Sequence, residues 1–259
     1  MDNGIVKYPR TYHLKGSRLF EGEVDKDQVD FKRILGKNIV IEEKLDGANT
    51  AISFDANGAM RLQNRNHYLD GGGREKPFNL LKQWASENSG LFYNVLGNRY
   101  VMYGEWMYAK HTVFYDSLPD YFMEFDIYDR ERQVFLDTPS RRRLTETIGI
   151  ISSVPVLGSG SFKKKEEILS LIGHSSYITD EHIEALRSLA VKRGQDADKI
   201  CRETELSANM EGLYIKLEEE GEVKERFKYI RPDFLQVILS SESHWLAREL
   251  IPNQLACGR

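Results

Sequence analysis

Strand-like segments cluster toward both ends of this chain, and helical patterns lie mainly between them. Runs of β-branched and aromatic residues favour strands, whereas apolar residues at every third or fourth position favour helices. Strands and helices in separate stretches indicate an α+β fold, not alternating βαβ units. The predicted strands lie near residues 38–44, 49–54, 60–64, 99–108, 120–129, 153–156, 211–217 and 223–230. The predicted helices lie near residues 77–88, 139–148, 163–172, 180–193 and 232–240.

Short turn sequences predict how neighbouring strands connect. Residues 55–58 and 218–221 each end in glycine and suit tight turns between strands. We therefore expect antiparallel hairpins at both ends of the chain. One of them is expected to pair strand 38–44 with strand 49–54.

The sequence has no low-complexity linker and no internal repeat, so we expect one domain over residues 1–259. Residues 160–205 are mostly helical and polar, which predicts a helical subdomain inserted in it. Cys201 and Cys257 are too few for a disulfide framework or a Cys-rich zinc site. The chain shows no signal core and no apolar run of membrane-spanning length. These features favour an intracellular, cytoplasmic protein, which a virus or phage could also encode.

The net charge of −4 argues against a protein that binds nucleic acid over its whole surface. Any contact with a polynucleotide would come from local basic patches. Residues 141–143 and 163–165 form two such patches on predicted helices. Charge on a helix surface usually serves solvation, so RNA binding and simple solvation both remain open for these two. The other basic residues lie at Arg61, Arg65, His67, Arg74, Lys76 and from Lys224 to Arg231.

Lys44 lies between two strand-like runs, in the sequence Lys-Leu-Asp-Gly, and a flexible glycine, Gly47, follows it. A lysine in this position is suited to reach a phosphate group. Lysine acts as a nucleophile only after it loses its proton, so such a site must lower its pKa by desolvation or by nearby cations. The alternative is an ordinary solvated lysine in a hairpin.

Further motifs follow Lys44 along the chain. Residues 103–108 read Tyr-Gly-Glu-Trp-Met-Tyr, and residues 121–128 form an aromatic strand. Residues 210–216 place Glu211 at a strand start, and residues 225–234 read Glu-Arg-Phe-Lys-Tyr-Ile-Arg-Pro-Asp-Phe. In this order and spacing, the motifs resemble those of the covalent nucleotidyltransferase superfamily, which contains ATP-dependent ligases and capping enzymes. Within it the chain looks most like the ATP-dependent RNA ligases of the RNA ligase 2-like group. The segment Tyr8 to Ser17 is also similar to a segment of such ligases.

The resemblance implies an antiparallel-sheet adenylyltransferase domain of the ATP-grasp-like ligase type. It makes Lys44 the nucleophile that attacks the α-phosphorus of ATP to give a lysyl–AMP intermediate. Arg226 and Lys228 are two apart on one strand and therefore point the same way. Both are expected to contact the α-phosphate and to depress the pKa of Lys44. A solvated strand face is the alternative for this pair.

The same resemblance assigns roles to the remaining site residues. Glu211 is implied to assist a divalent metal, Mg²⁺ or Mn²⁺, and Glu105 to contact the ribose hydroxyls and also serve metal binding. Magnesium is usually held by one or two carboxylates with water and phosphate oxygens, so a sparse acidic set is enough. Either glutamate alone could instead be a surface residue. Further implied positions are Glu43 at the nucleotide, Phe125 stacked on adenine, Arg65 near the ribose or AMP phosphate, Asn49 at the phosphate and Asp46 orienting the loop or the end to be joined.

DNA ligases and capping enzymes add an OB-fold domain after the last motif, whereas only residues 235–259 follow it here. That length is too short for an independent barrel, so we expect no OB domain. The favoured hypothesis is an ATP-dependent RNA ligase that joins 5′-phosphate and 3′-hydroxyl RNA ends, and a separate end-healing enzyme is a candidate partner. The alternatives are a ligase for DNA nicks and an inactive module that binds nucleotides or RNA ends.

Overall fold

A computed structural model of the chain describes residues 4–19, 28–234 and 250–256. It shows two sheets. The first has the strand order β10-β3-β11-β12-β1-β2. Strand β1 pairs in parallel with β12 and β2, and the other neighbours are antiparallel. Its strands are β1 Tyr12–Leu14, β2 Gln28–Val29, β3 Asn38–Lys44, β10 Val156–Ser161, β11 Gly212–Glu219 and β12 Glu222–Ile230.

The second sheet has the order β5-β4-β6-β7-β8, and β9 pairs in parallel with β7. The remaining pairs are antiparallel, so mixed α/β architecture with mainly antiparallel sheets is confirmed. Its strands are β4 Ala48–Phe54, β5 Met60–Asn64, β6 Tyr100–Trp106, β7 Phe122–Asp129, β8 Val134–Phe135 and β9 Ser152–Ser153. The helices are α1 Asn79–Glu87, α2 Ser89–Leu96, α3 Thr138–Ile148, α4 Lys165–Leu169, α5 His182–Lys192 and α6 Ala197–Arg202, with 3₁₀ turns at Phe31–Arg33 and Gly73–Phe78.

The hairpin expected between residues 38–44 and 49–54 is wrong, because β3 and β4 lie in different sheets. Each is buried along nearly its whole length and already has two neighbours, β3 between β10 and β11, and β4 between β5 and β6. Neither has an open edge for the other. Residues 45–47 therefore cross from one sheet to the other. The hairpins through residues 55–58 and 218–221 are confirmed, with Gly58 at φ 78° and Gly221 at φ 80°.

Three apolar layers follow from the alternation of side chains along the strands. One lies between the sheets and includes Tyr103 and Ile230. Another lies where α1 and α2 cover the second sheet and includes Phe92. A third covers the far face of the first sheet and includes Ile41 and, from α4, Ile168. Apolar side chains therefore fill the space between the two sheets, except at the positions that polar side chains occupy.

Several predicted helices have different bounds in the structure. The helix expected over residues 77–88 shortens to α1, which is followed by the unpredicted helix α2, and the helix expected over 163–172 shortens to α4. The strand expected at 153–156 is divided between the end of β9, which pairs with β7, and the start of β10, which pairs with β3. Within the helix predicted over 232–240, residues 232–234 are not helical and the rest lies outside the described residues. In the described part of the chain, no helix has the length and apolarity needed to span a membrane.

The interpretation of residues 141–143 as surface charge is wrong for Arg141, which is fully buried. Its guanidinium donates to Glu124 Oε2 at 2.7 Å and also to Glu42. Asp137 caps the start of α3, and the helix then points Arg141 at strands β7 and β3. Lys216 completes the group, with its Nζ 2.9 Å from a Glu42 carboxylate oxygen.

Candidate active site

Lys44 is the last residue of β3, and its register partner on β11 is Gly212. Glu211 immediately precedes Gly212, so the sheet places the two side chains together. Lys44 Nζ donates to Glu211 Oε2 at 2.6 Å. Gly212 is required here, because a Cβ at this position would lie 1.9 Å from the Tyr229 carbonyl oxygen. The sheet pairing thus fixes the Lys44–Glu211 contact.

Glu105 reaches the same place from the second sheet. It lies on β6 opposite Asn49 of β4, and its Oε1 accepts a hydrogen bond from the Gly47 amide at 3.2 Å. The expected role of Gly47 as a flexible residue needs correction. A Cβ on Gly47 would lie 2.7 Å from Met107 Sδ and 2.8 Å from the Trp106 carbonyl oxygen, so the glycine permits close packing at the crossing.

Asp46 is held by backbone groups of the loop after β6. Its Oδ2 accepts from the amides of Thr112 at 2.7 Å and Val113 at 2.9 Å. Its own amide donates to the Tyr115 hydroxyl at 3.0 Å. The carboxylate is therefore fixed beside the crossing, next to Lys44 and Glu105.

Burial and charge both act on this group. Burial lowers the pKa of Lys44, but the carboxylates of Glu211, Glu105 and Asp46 raise it more, so the pKa lies above its ordinary value. Burial, against the opposing charge of Lys44, raises the pKa of Glu105 to about 8 and that of Glu211 to about 7. The expectation of a depressed Lys44 pKa is therefore wrong for this arrangement, because carboxylates, not cations, surround the amine.

A cavity of about 340 Å³ opens next to Lys44. This volume lies within the range of small-molecule sites. Most of the residues that the sequence predicts for the site line it together, namely Glu43, Lys44, Asn49, Arg65, Glu105, Phe125 and Lys228. The structure therefore brings together residues that are up to 185 positions apart, since Glu43 and Lys228 share the cavity.

Arg226 does not line the cavity, although it shares a strand face with Lys228. Its Nε lies 3.1 Å from Asp126 Oδ2, and its guanidinium lies 3.8 Å above the Phe135 ring. The expected phosphate contact and the expected effect of Arg226 on Lys44 therefore need correction. Asp126 holds the guanidinium deeper between the sheets.

Glu43 is 1% exposed and borders the cavity. Ser175 donates a hydrogen bond to its Oε1. Its Oε2 is buried and has no hydrogen-bond partner among the described residues. Burial raises the pKa of Glu43 to about 7. Glu43 therefore forms part of the cavity wall, with its second carboxylate oxygen shielded from solvent.

Sequence reasoning missed the aromatic wall formed with Phe125. The Tyr8 ring meets the Phe125 ring edge-on at 5.2 Å, and Tyr214 lies 6.2 Å away. Tyr8 and Tyr214 both line the cavity, and Tyr8 brings Pro9, Arg10 and Thr11 with it. The motif from Tyr8 to Ser17 was the signal that could have identified this wall.

Both the sequence and the fold of the chain match known proteins. The family model for RNA ligase matches residues 37–230. A Naegleria gruberi RNA ligase variant solved with ATP and Mn is 18% identical, with a TM-score of 0.51, over 77% of this chain and 51% of that one. A second variant of that ligase with ATP and Mn is 17% identical, with a TM-score of 0.51, over 87% and 58%. An archaeal ATP-dependent RNA ligase is 15% identical, with a TM-score of 0.49, over 87% and 48%.

The chain thus spans roughly half the length of the solved ligases that it matches. At these identities, the Naegleria structures show a shared fold. A search of curated proteins found no match.

Proposed function

The chain belongs to the RNA ligase family, and from that premise we propose that it is an ATP-dependent RNA ligase. In the first step Lys44 attacks the α-phosphorus of ATP, an N–P bond forms, and pyrophosphate leaves. AMP then passes to an RNA 5′-phosphate, which frees Lys44 and forms a 5′–5′ pyrophosphate link. In the last step an RNA 3′-hydroxyl attacks the 5′-phosphate, AMP leaves, and the two ends are joined.

One observation carries this proposal: Lys44 lies at a cavity of about 340 Å³ that is also lined by an aromatic wall, a buried glutamate and a second lysine. Phosphoryl transfer depends mainly on positioning and on stabilising charge. Phe125 supplies an apolar face for the adenine base, and Lys228 supplies positive charge for the α-phosphate. We assign Glu105 to the ribose hydroxyls.

Three further residues complete the proposed nucleotide contacts. Glu43, which lines the cavity, is assigned to the nucleotide. Asn49 lines the cavity on β4, where its amide can reach a phosphate oxygen. Arg65 is exposed at the edge of the cavity, where its charge can meet the ribose or the AMP phosphate. Asp46 orients the crossing between the sheets.

The acidic residues near Lys44 supply only some of the ligands that a divalent metal needs. Among the residues described, no three His, Cys, Asp or Glu side chains are grouped to hold a metal by themselves. Glu211 and Glu105 nevertheless converge on Lys44 with raised pKa values, so a cation would relieve their mutual repulsion. When bound, Mg²⁺ or Mn²⁺ would neutralise these carboxylates and phosphate charge, which favours the unprotonated amine of Lys44.

The test is a covalent adduct. Wild-type protein is incubated with ATP labelled at the α-phosphate and with Mg²⁺ or Mn²⁺, and protein-bound label is measured. We expect label on the wild type and none on Lys44→Ala. Lys165→Ala, which removes an exposed lysine outside the cavity, is the matched control and should label normally. Absence of label on the wild type with both metals would disprove the proposal.

A second comparison tests the substrate class. Nicked duplex RNA, single-stranded RNA and nicked DNA are offered under identical conditions, and sealed product is quantified. We expect RNA ends to be sealed faster. Faster sealing of nicked DNA would indicate a DNA nick ligase instead. Sealing at the level of the protein-free background in both wild type and Lys44→Ala would indicate a binding module without catalysis.

A further inference from the structure

Residues 250–256, here called the clamp segment, lie along the loop of residues 107–121, here called the carboxylate loop. The two run together with isolated bridges at Ala109–Pro252 and Leu118–Leu255. Backbone hydrogen bonds join them at intervals along their length. They link Lys110 N to Ile251 O at 2.7 Å, Gln254 N to Tyr115 O at 2.8 Å, Leu118 N to Gln254 O at 3.0 Å and Ala256 N to Leu118 O at 2.8 Å.

Asn253 is the centre of this contact and is 1% exposed. Its side-chain Nδ2 donates to Met107 O at 2.6 Å, and its Oδ1 accepts from Tyr115 N at 3.0 Å. Its backbone amide donates to Tyr108 O at 2.8 Å, and its carbonyl accepts from the Tyr121 hydroxyl at 2.9 Å. Asn253 therefore binds the beginning, the middle and the end of the carboxylate loop at once.

The carboxylate loop in turn holds the crossing between the sheets. Thr112 and Val113 donate their amides to the Asp46 carboxylate, and the Tyr115 hydroxyl accepts from the Asp46 amide. Tyr115 is fully buried and makes both contacts, with Asn253 through its backbone and with Asp46 through its side chain. A continuous chain of hydrogen bonds thus runs from Asn253 to Asp46, two residues after Lys44.

We propose that Asn253 is a positioning residue for lysyl–AMP formation and acts through the carboxylate loop on Asp46. The proposal rests on the proposed function. Both amides that bind the Asp46 carboxylate belong to the loop, so a displacement of the loop displaces the carboxylate with it. Displacements of about 1 Å at a reacting centre can reduce rates by roughly a hundredfold. An amide side chain suits the task, because it supplies one donor and one acceptor in fixed geometry.

Backbone amide hydrogen exchange tests the mechanical part without any substrate. In Asn253→Ala we expect the Thr112 and Val113 amides to exchange at least about tenfold faster, while the Ile215 amide in β11 changes less than about twofold. Gln254→Ala is the matched control, because the described hydrogen bonds of Gln254 to the loop are made by its backbone. Equal protection of Thr112 and Val113 in Asn253→Ala and wild type would overturn the proposal, whether or not the protein is a ligase.

Single-turnover labelling tests the functional part. For Asn253→Ala we expect the rate constant at saturating ATP to fall roughly tenfold to a hundredfold, with the half-saturating ATP concentration changed less than about threefold. A purely structural defect would lower the amplitude of labelled protein and leave the rate constant unchanged. Gln254→Ala should retain both the rate constant and the amplitude.

A double-mutant comparison identifies the route. If Asn253 acts through Asp46, then adding Asn253→Ala to Asp46→Ala should slow labelling less than about twofold further. A full multiplicative loss in the double variant would overturn the proposal. Tyr115→Phe removes only the hydroxyl that contacts Asp46, and it should reproduce part of the loss even if Asn253→Ala does not fold. If the wild type forms no adduct, the proposed function fails, and hydrogen exchange alone decides whether the clamp exists.

Discussion

Two groups of charged side chains lie between the sheets, and they differ in how completely their charges are paired. In the first group, here called the unpaired group because carboxylates outnumber cations, Glu105, Glu211 and Asp46 face the amine of Lys44 beside an open cavity. Lys228, which lines the same cavity, also acts on Glu211. In the second, here called the paired group, three cations meet three carboxylates, and all six side chains are buried. Its members are Arg141, Lys216, Arg226, Glu42, Glu124 and Asp126.

The pKa values show the consequence of this difference. Burial acts to raise the pKa of Asp126, but Lys216 and Arg226 lower it to about 2. Burial acts in the same direction on Glu105, where Lys44 opposes it only partly and the pKa reaches about 8. A carboxyl group of the paired group therefore stays ionised at neutral pH, whereas the pKa of a carboxyl group beside Lys44 lies close to neutral pH. Such perturbation beside a cavity is typical of functional sites.

Breaking the paired group should produce the largest effect on stability. Arg141→Ala leaves Glu124 buried without its cation and Glu42 with Lys216 alone, so we expect the free energy of unfolding to fall by about 3–5 kcal/mol. Urea unfolding followed by circular dichroism measures this. A loss below about 1 kcal/mol would show that the two carboxylates are neutral or solvated.

Removing a charge from the unpaired group should instead slow formation of the lysyl–AMP adduct. Glu211→Gln keeps the shape of the side chain and removes its charge, so we expect adduct formation to slow roughly a hundredfold, or about 2.7 kcal/mol of activation free energy. Unfolding free energy should change by less than about 1 kcal/mol, because a poorly compensated buried carboxylate is removed. Glu219→Gln, on the exposed end of the same strand, is the control. A large stability loss with normal labelling would place Glu211 with the paired group.

The sequence could predict the unpaired group because its members lie in local motifs. Lys44, Glu105, Glu211 and Lys228 each occupy a short pattern whose order along the chain is informative. The burial of Arg141 could not be predicted from the sequence, because Arg142 and Arg143 are the same residue type beside it. Only the orientation of α3 determines which of the three arginines is buried. The pairing of β3 was missed for a related reason. Two buried strands joined by a short turn resemble a hairpin unless the other partners of each strand are known.

Glu43 is intermediate between the two groups in how well its carboxylate is paired. It is buried, and Ser175 donates to one oxygen while the other has no side-chain partner among the described residues. Its pKa of about 7 lies above the ordinary 4.5. Between these values the folded protein binds more protons than the unfolded chain, so stability falls as the pH rises. Glu43→Gln should remove this penalty. We expect the variant to gain roughly 2 kcal/mol relative to wild type at pH 8 and little at pH 4.5, measured by urea unfolding across that range. An equal difference at all pH values would contradict the raised pKa.

The smallest effect is expected at Arg143, two residues after Arg141 on the same helix. Arg143 is exposed, and its guanidinium donates only to Ser140 Oγ at 2.8 Å among the described residues. Because an exposed helix charge contributes little, Arg143→Ala should change the unfolding free energy by less than about 0.5 kcal/mol and leave adduct formation unchanged. A comparison of Arg143→Ala with Arg141→Ala separates the effect of burial on stability from the effect of residue type, because both changes remove one arginine from the same helix. Slower sealing of RNA by Arg143→Ala with normal adduct formation would show that this exposed arginine contacts RNA, the alternative that its sequence left open.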